Sequence, residues 1–135
     1  MKRQFSTSWI ASKQVRKQRK YRFEAPLHIK HKFLSANLSK DLRKKYGKRS
    51  FPVRKGDEVL VMRGSFNKKK AKISSIDLKY SRVALEGIQR AKRDGTKVNV
   101  FFHPSVLQIH TITDDKERLL ALNRKAQTTV SGVKK

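Results

Sequence analysis

Three lysines stand side by side at positions 68–70, with Arg63 before them and Lys72 just after. Burying so many charges without partners would be prohibitively costly. Cations crowded on one loop suit a polyanion, above all phosphate oxygens. Gly64 lies in the same loop, and a residue without Cβ lets backbone come close to a phosphate. A second basic cluster fills residues 12–23, SKQVRKQRKYRF, with Lys13, Arg16, Lys17, Arg19, Lys20 and Arg22 and no acidic residue. A third, in residues 24–38, holds His28, Lys30, His31 and Lys32. His28 and His31 invite a metal, but the chain has no cysteine and both histidines sit among lysines. Phosphate or base contact fits them better. No histidine, serine or carboxylate set has catalytic spacing, and neither a P-loop nor a Gly-x-Gly-x-x-Gly is present. The sequence therefore predicts no catalytic residue, no metal and no cofactor. It predicts RNA binding.

The charge balance shows where that binding concentrates. The 135 residues carry a formal net charge of +25. Residues 1–55 hold 18 Lys+Arg against 2 Asp+Glu, residues 56–112 hold 11 against 5, and residues 113–135 hold 6 against 3. A first segment at net +16 repels itself unless a polyanion neutralises it. An anionic membrane ranks below nucleic acid, because no basic amphipathic helix with an aromatic-rich face appears. Apolar runs stop at four or five residues, such as 59–62, so nothing is long enough to span a bilayer. The first 23 residues lack acidic side chains, as a mitochondrial transit peptide does, but the cluster at 13–22 has a better explanation below.

The elements that must position these cations can be read in order. Trp9 either stacks on a base or fills an apolar dent in the protein. Residues 12–23 are helical if Ser12 caps them, and cations would then surround the helix, making it stable only against phosphates. Ala25-Pro26 breaks it. Leu27, Ile29 and Phe33 are predicted to dock on the β domain, with His28, Lys30, His31 and Lys32 pointing away. Residues 39–47 form a short helix, with Ser39 as N-cap, Asp41 in the first turn, Lys44 and Lys45 in the last, and Gly47 as the stop. Leu42 and Tyr46, four apart, give it one apolar face.

From residue 53 the pattern turns to strands. A turn at 55–57 leads into 58–62, where Val59 and Val61 share one face. The basic loop follows, then a strand through Ile73 and Ile76 with a bulge near Ser74 and Ser75. Residues 82–85, extended to Arg90, form the next strand, and Asp94-Gly95 turns into 97–102, where Val98, Val100 and Phe102 share a face. A turn at 103–105 precedes a last strand, 106–112. Short strands at this spacing imply a small barrel. Residues 113–125 read as a helix, with Asp114 and Glu117 as a capping box, Leu119, Leu120 and Leu122 packing on the protein, and Arg124 and Lys125 at its end. The tail from Gln127 is polar and predicted to be disordered.

The hairpin resembles the KOW motif of ribosomal proteins and transcription elongation factors, through Gly56-Asp57, Val59 and Val61, Arg63-Gly64, and Lys72-Ile73. Lys68 and Ala71 stand where that motif usually has glycine. If the Ala71 position needs a positive φ, alanine is strained there. The wider chain is more specific. Lys-Gln-x-Arg-Lys-Gln-Arg-Lys, Ala-Pro-Leu-His, Leu-Ser-Lys, Lys-Tyr-Gly and Arg-Ser-Phe-Pro-Val-Arg-Lys-Gly-Asp occur in order, followed by Glu86-Gly87, Asp94-Gly95-Thr96 and His103-Pro104-Ser105. Over residues 12–112 the chain resembles the universal large-subunit ribosomal protein family numbered twenty-four. The likeness is to its archaeal and eukaryotic form, twenty-six in older eukaryotic naming, and is nearer the archaeal wording. Val15 replaces the usual proline, and one residue is missing after Ser105.

The resemblance implies a mainly β protein in three parts: a basic rRNA-binding extension (1–52), an SH3-like KOW barrel (53–112), and a C-terminal helix and tail (113–135). It implies a cytoplasmic ribosomal protein that binds the 5′ domain of the large rRNA near the peptide exit tunnel, beside neighbouring large-subunit proteins, and aids subunit assembly. No homo-oligomer and no membrane are expected. Arg49, Arg54 and Lys55, inside the last of the N-terminal strings, join the RNA-binding candidates. The alternative is a KOW-type elongation factor that binds RNA and polymerase; the +16 segment argues against it.

Overall fold

Val59 and Val61 are completely buried while Glu58 before them and Leu60 between them are half-buried. That alternation builds the centre of the sheet. A computed structural model of the chain describes residues 5–123. In chain order its helices are α1 (Val15–Glu24), α2 (Leu27–Phe33), α3 (Lys40–Tyr46) and α4 (Lys116–Asn123). Its strands are β1 (Ser35–Leu38), β2 (Ser50–Pro52), β3 (Glu58–Val61), β4 (Lys70–Asp77), β5 (Arg82–Ala91), β6 (Lys97–Phe102) and β7 (Leu107–Thr111). The seven strands form one sheet in the order β2-β1-β7-β3-β4-β5-β6. All neighbours run antiparallel except β1 and β7, which pair in parallel with Asn37 opposite Gln108 and Leu38 opposite Ile109.

The strands expected from residue 53 onward are all present. The bulge falls where the broken alternation put it, between Ile73 and Ser75 on the β5 side of β4. Asp94-Gly95 turns the β5–β6 hairpin, with Gly95 at φ 76°. Phe102 is buried and Val100 partly so, but Val98 stays exposed, because β6 is the last strand at that edge of the sheet. The core gathers Leu34, Leu38, Val53, Ile73, Leu85, Leu107 and Ile109 around the two valines of β3, all essentially without exposure. Leu34 and Leu38 come from the basic N-terminal part, as do β1 and β2. The sequence reading assigned no strand to either stretch.

α3 is built as read. Ser39 Oγ accepts the Leu42 N–H at 3.3 Å, Tyr46 is buried, and Gly47 at φ 61° ends the helix. α1 differs. Gln14 holds the cap position without a side-chain bond, and Ser12 Oγ instead accepts the Gln14 N–H at 3.3 Å. Nor do cations surround the helix. Tyr21 is buried in a small second core with Ala25 and Ile29, stacked on Phe5 at 5.1 Å and tilted against Phe33 at 5.8 Å. Trp9 packs partly against the same cluster, in a 3₁₀ turn that the Gln18 amide ties down through Trp9 O at 2.8 Å and Ser12 O at 2.9 Å. Ile29 and Phe33 therefore dock on Tyr21 rather than on the β domain, and Leu27 is 67% exposed.

α4 also departs from expectation. It begins at Lys116, where the Leu119 N–H reaches the Asp115 carbonyl at 2.9 Å, so Asp114 and Glu117 form no capping box. Leu122 is fully buried and Leu119 packs on the core, but Leu120 is 63% exposed. Three leucines within four positions cannot all lie on one helical face. Arg124, Lys125 and the tail from Gln127 lie outside the described residues.

Among the non-glycine residues of the KOW loop the positive φ sits at Lys68, at 65°, and not at Ala71, which is an ordinary strand residue of β4. A left-handed non-glycine residue costs about 1–2 kcal/mol. Lys68→Gly should therefore raise stability by roughly 1 kcal/mol, net of glycine's entropy cost. A thermal melt checks this, and an unchanged or lower melting temperature would show that the loop holds no strain there.

Candidate nucleic-acid interface

The loop between β3 and β4 is held by its own backbone. The Lys68 N–H reaches Val61 O at 2.8 Å, Val61 N–H reaches Lys69 O at 2.9 Å, and Asn67 N–H reaches Gly64 O at 3.0 Å. Phe66 packs edge-on against Phe102 at 5.9 Å, and Lys69 Nζ lies 5.3 Å from the Phe66 ring centre. The backbone is thus fixed while Arg63, Lys68, Lys69, Lys70 and Lys72 are exposed. Gly64 has φ 93°, and no heavy atom lies within 4 Å of where a Cβ would sit. Glycine is there for its conformation, and the space around it is open.

On α1 every cation stays exposed although Tyr21 among them is buried. Arg16, Lys17, Arg19, Lys20 and Arg22 are exposed, as is Lys13 before the helix. Lys13, Arg19 and Arg22 line one shallow concavity with Gln18. Lys20 pairs with Glu24 at 3.9 Å and lies 5.6 Å from the Trp9 ring centre. An exposed i,i+4 pair of this kind contributes little and leaves the ammonium available.

A second groove runs between α2, β2 and α4. His28, His31 and Lys32 line it from one side, Arg54 and Arg118 from the other, with Phe51 at its floor. His31 does not point away as expected. It is partly buried, and that burial, followed by the charges of Arg54 and Arg118, holds its pKa below the ordinary 6.5. Arg54 is engaged by Asp115. Arg118 is engaged by Asp57, which the sequence reading placed simply at a turn. The Asp57 carboxylate is fully buried and accepts both guanidinium nitrogens at 2.5 Å, Arg54 N–H at 2.8 Å and Thr113 N–H at 3.1 Å. Lys30 is half-buried, Lys55 lies exposed in the turn before β3, and Arg49 is exposed in a separate concavity beside Gly47 and Ser50. The candidates thus fall into three groups, on α1, in the α2 groove and on the loop, with Arg49 and Lys55 apart.

One basic–aromatic cluster was not singled out from the sequence. At the β4–β5 turn Arg82 lies between two rings, 4.7 Å from the Tyr80 centre and 4.4 Å from that of Phe101. Asp77 organises this turn, accepting Arg82 Nε–H at 3.1 Å and the Tyr80 N–H at 3.2 Å. The signal was present as Asp-Leu-Lys-Tyr-Ser-Arg: an aspartate three residues before an aromatic, with basic residues interleaved.

Residues 12–125 match the family that unites the eukaryotic ribosomal proteins L26 with their archaeal L24 counterparts. The chain belongs to this family. The large ribosomal subunit protein uL24 of Methanosphaera stadtmanae is 48% identical over 115 residues, covering 84% of this chain and 98% of that protein. Its counterpart in Korarchaeum cryptofilum is 44% identical over 117 residues, covering 86% and 89%. The family match includes the basic α1 and α2 as well as the KOW hairpin, so it is not a likeness of the small hairpin alone. Proteins of this family are structural ribosomal proteins, not enzymes, and this chain is one of them. Among the described residues no helix is long and apolar enough to cross a membrane.

Proposed function

We propose that the chain is a structural constituent of the large subunit of the cytoplasmic ribosome, binding the 5′ domain of the large rRNA near the peptide exit tunnel. Its partners there are that rRNA and neighbouring large-subunit proteins, and its binding aids subunit assembly. In this reading residues 1–52 are the rRNA-binding extension, residues 53–112 curl as an SH3-like barrel that presents the KOW loop, and residues 113–135 are the C-terminal segment that follows it. The observation that carries the reading is the coincidence of family membership with solvent-facing cations on α1, α2 and the loop. The protein should sediment with large subunits through a high-salt wash. Co-sedimentation with RNA polymerase instead would sink it.

The α1 cations make a separate expectation. Each neutralised phosphate adds roughly −0.9 to the log–log salt slope on duplex RNA and about −0.7 on single strands. Replacing Arg16, Lys17, Arg19 and Lys20 together with Ala should flatten the measured slope in a titration against 5′-domain rRNA. An unchanged slope would take α1 off the RNA backbone.

A further inference from the structure

A cleft separates the C-terminal half of α1 from the β4–β5 turn. Arg19, Arg22 and Phe23 form one wall, Lys79 and Tyr80 the other, and His103 closes one end beside Ser81. A smaller adjoining hollow shares Arg22, Ser81 and His103. No carboxylate lines either. Phe23 is 76% exposed and Tyr80 61% exposed, unusual for large rings on a packed protein. The turn that carries Tyr80 is built and not loose. Asp77 holds its backbone, Ser81 takes a positive φ of 52°, and Arg82 is locked between Tyr80 and Phe101.

We propose that this cleft takes one unpaired nucleotide of the bound RNA, its base against Phe23 and Tyr80 and its phosphate among Arg19, Arg22 and Lys79. The proposal rests on the reading of the chain as an rRNA binder and adds a base-stacking subsite to it. A nucleotide satisfies both halves of the cleft at once. Its flat base covers aromatic rings and its phosphate meets the cations. An acidic peptide would satisfy the cations and leave the rings in water. A base inside a continuous duplex has no free face to offer, so the site selects a nucleotide that is out of the stack.

The test uses the full chain, a transcript of the 5′ domain of an archaeal large-subunit rRNA, and a fully paired RNA duplex. Phe23→Ser and Tyr80→Ser should each weaken binding to the transcript about tenfold, the scale of one lost base–aromatic stack. Both should leave the salt slope and the duplex affinity unchanged, Phe23→Ser should leave the melting temperature unchanged, and Tyr80→Phe, which keeps a ring against Arg82, should restore both the binding and the small loss of melting temperature in Tyr80→Ser. One transcript nucleotide protected from base-specific chemical probing by the native protein should become reactive with either variant. Unchanged transcript affinity and probing, or equal losses on transcript and duplex, would overturn the subsite while leaving the rRNA reading intact. A native protein with no preference for the transcript over the duplex would instead remove the rRNA reading, and the subsite with it. Competition by polyglutamate, with the aromatic variants binding RNA normally, would assign the cleft to a protein partner and overturn the proposal.

Discussion

Arg118→Met should destabilise the fold by about 3–5 kcal/mol, because it leaves the Asp57 carboxylate buried and without its counter-charge. At this chain length that is a fall in melting temperature of roughly 10–25 °C. The reason is geometric. Asp57 has no exposure and Arg118 only 3%, so water cannot replace the lost partner. Arg118 also donates to Pro52 O at 2.8 Å and lies 5.2 Å from the Phe51 ring centre, so one side chain fastens α4 to β2 and to the turn before β3. The pH dependence follows from the same contacts. Burial alone would raise the Asp57 pKa, but the Arg118 hydrogen bonds, the Arg54 and Thr113 N–H groups and the Arg118 charge outweigh it and hold the carboxyl below its usual 3.8. A depressed carboxyl stabilises the fold above the unfolded-state pKa of about 3.9 and loses that contribution as pH falls through the lower folded value. The native protein should keep its full margin down to about pH 4 and lose it in stronger acid. In Arg118→Met the carboxyl has lost what held it down, so the gap between the two proteins should narrow as pH falls. Denaturant melts across this range measure both effects. A variant as stable as the native protein at neutral pH would show that this pair does not fasten α4.

Replacing Lys68, Lys69 and Lys70 with Ser should do the opposite: leave stability alone and strip binding. The three side chains are exposed, and surface substitutions of this kind change stability by about 0.5 kcal/mol or less. Serine at position 68 keeps the same left-handed conformation, so its cost is carried over and not relieved. The loop frame rests on backbone bonds and on Phe66 against Phe102, which the substitution leaves in place, and only the exposed Lys69 contact over Phe66 is given up. Three lost phosphate contacts should flatten the salt slope by roughly 2–3 and weaken 5′-domain rRNA binding by an order of magnitude or more at moderate salt. Melts and titrations at fixed salt, run in parallel, separate the two effects. Normal affinity with a normal melt would make the loop a bystander and leave binding to α1 and the α2 groove.

What could be read in advance was whatever is local in sequence. The β3–β4 and β5–β6 hairpins, the bulge at Ile73–Ser75 and the whole of α3 are each fixed by residues a few positions apart, so alternation, turn chemistry and caps revealed them. What escaped depends on partners far along the chain. Residues 35–38 are too short to show a period, one sheet neighbour lies beyond a helix at 50–52, and the other lies about seventy positions away, at 108 and 109. Asp57 and Arg118 are separated by 61 positions, and nothing around either marks it as half of a buried pair. Tyr21 was hidden by its own surroundings, one of two rings among six cations, of which the other, Phe23, stays exposed. The exposed basic residues were legible by type, but their sorting into an α1 set, a groove and a loop was not, since only the packed structure decides that Arg54 and Arg118 are already matched by carboxylates.

The parallel β1–β7 ladder sets an order of events as the chain leaves the ribosome that makes it. β1 and its hairpin partner β2 reach the rest of the sheet only through β7, the last strand to be synthesised. Synthesis proceeds from the N-terminus, and a strand cannot pair before its neighbour exists. The basic N-terminal segment, net +16 over residues 1–55, is therefore charged and without its place in the sheet for most of the time the chain is being made. It can meet RNA before it meets its own last strand.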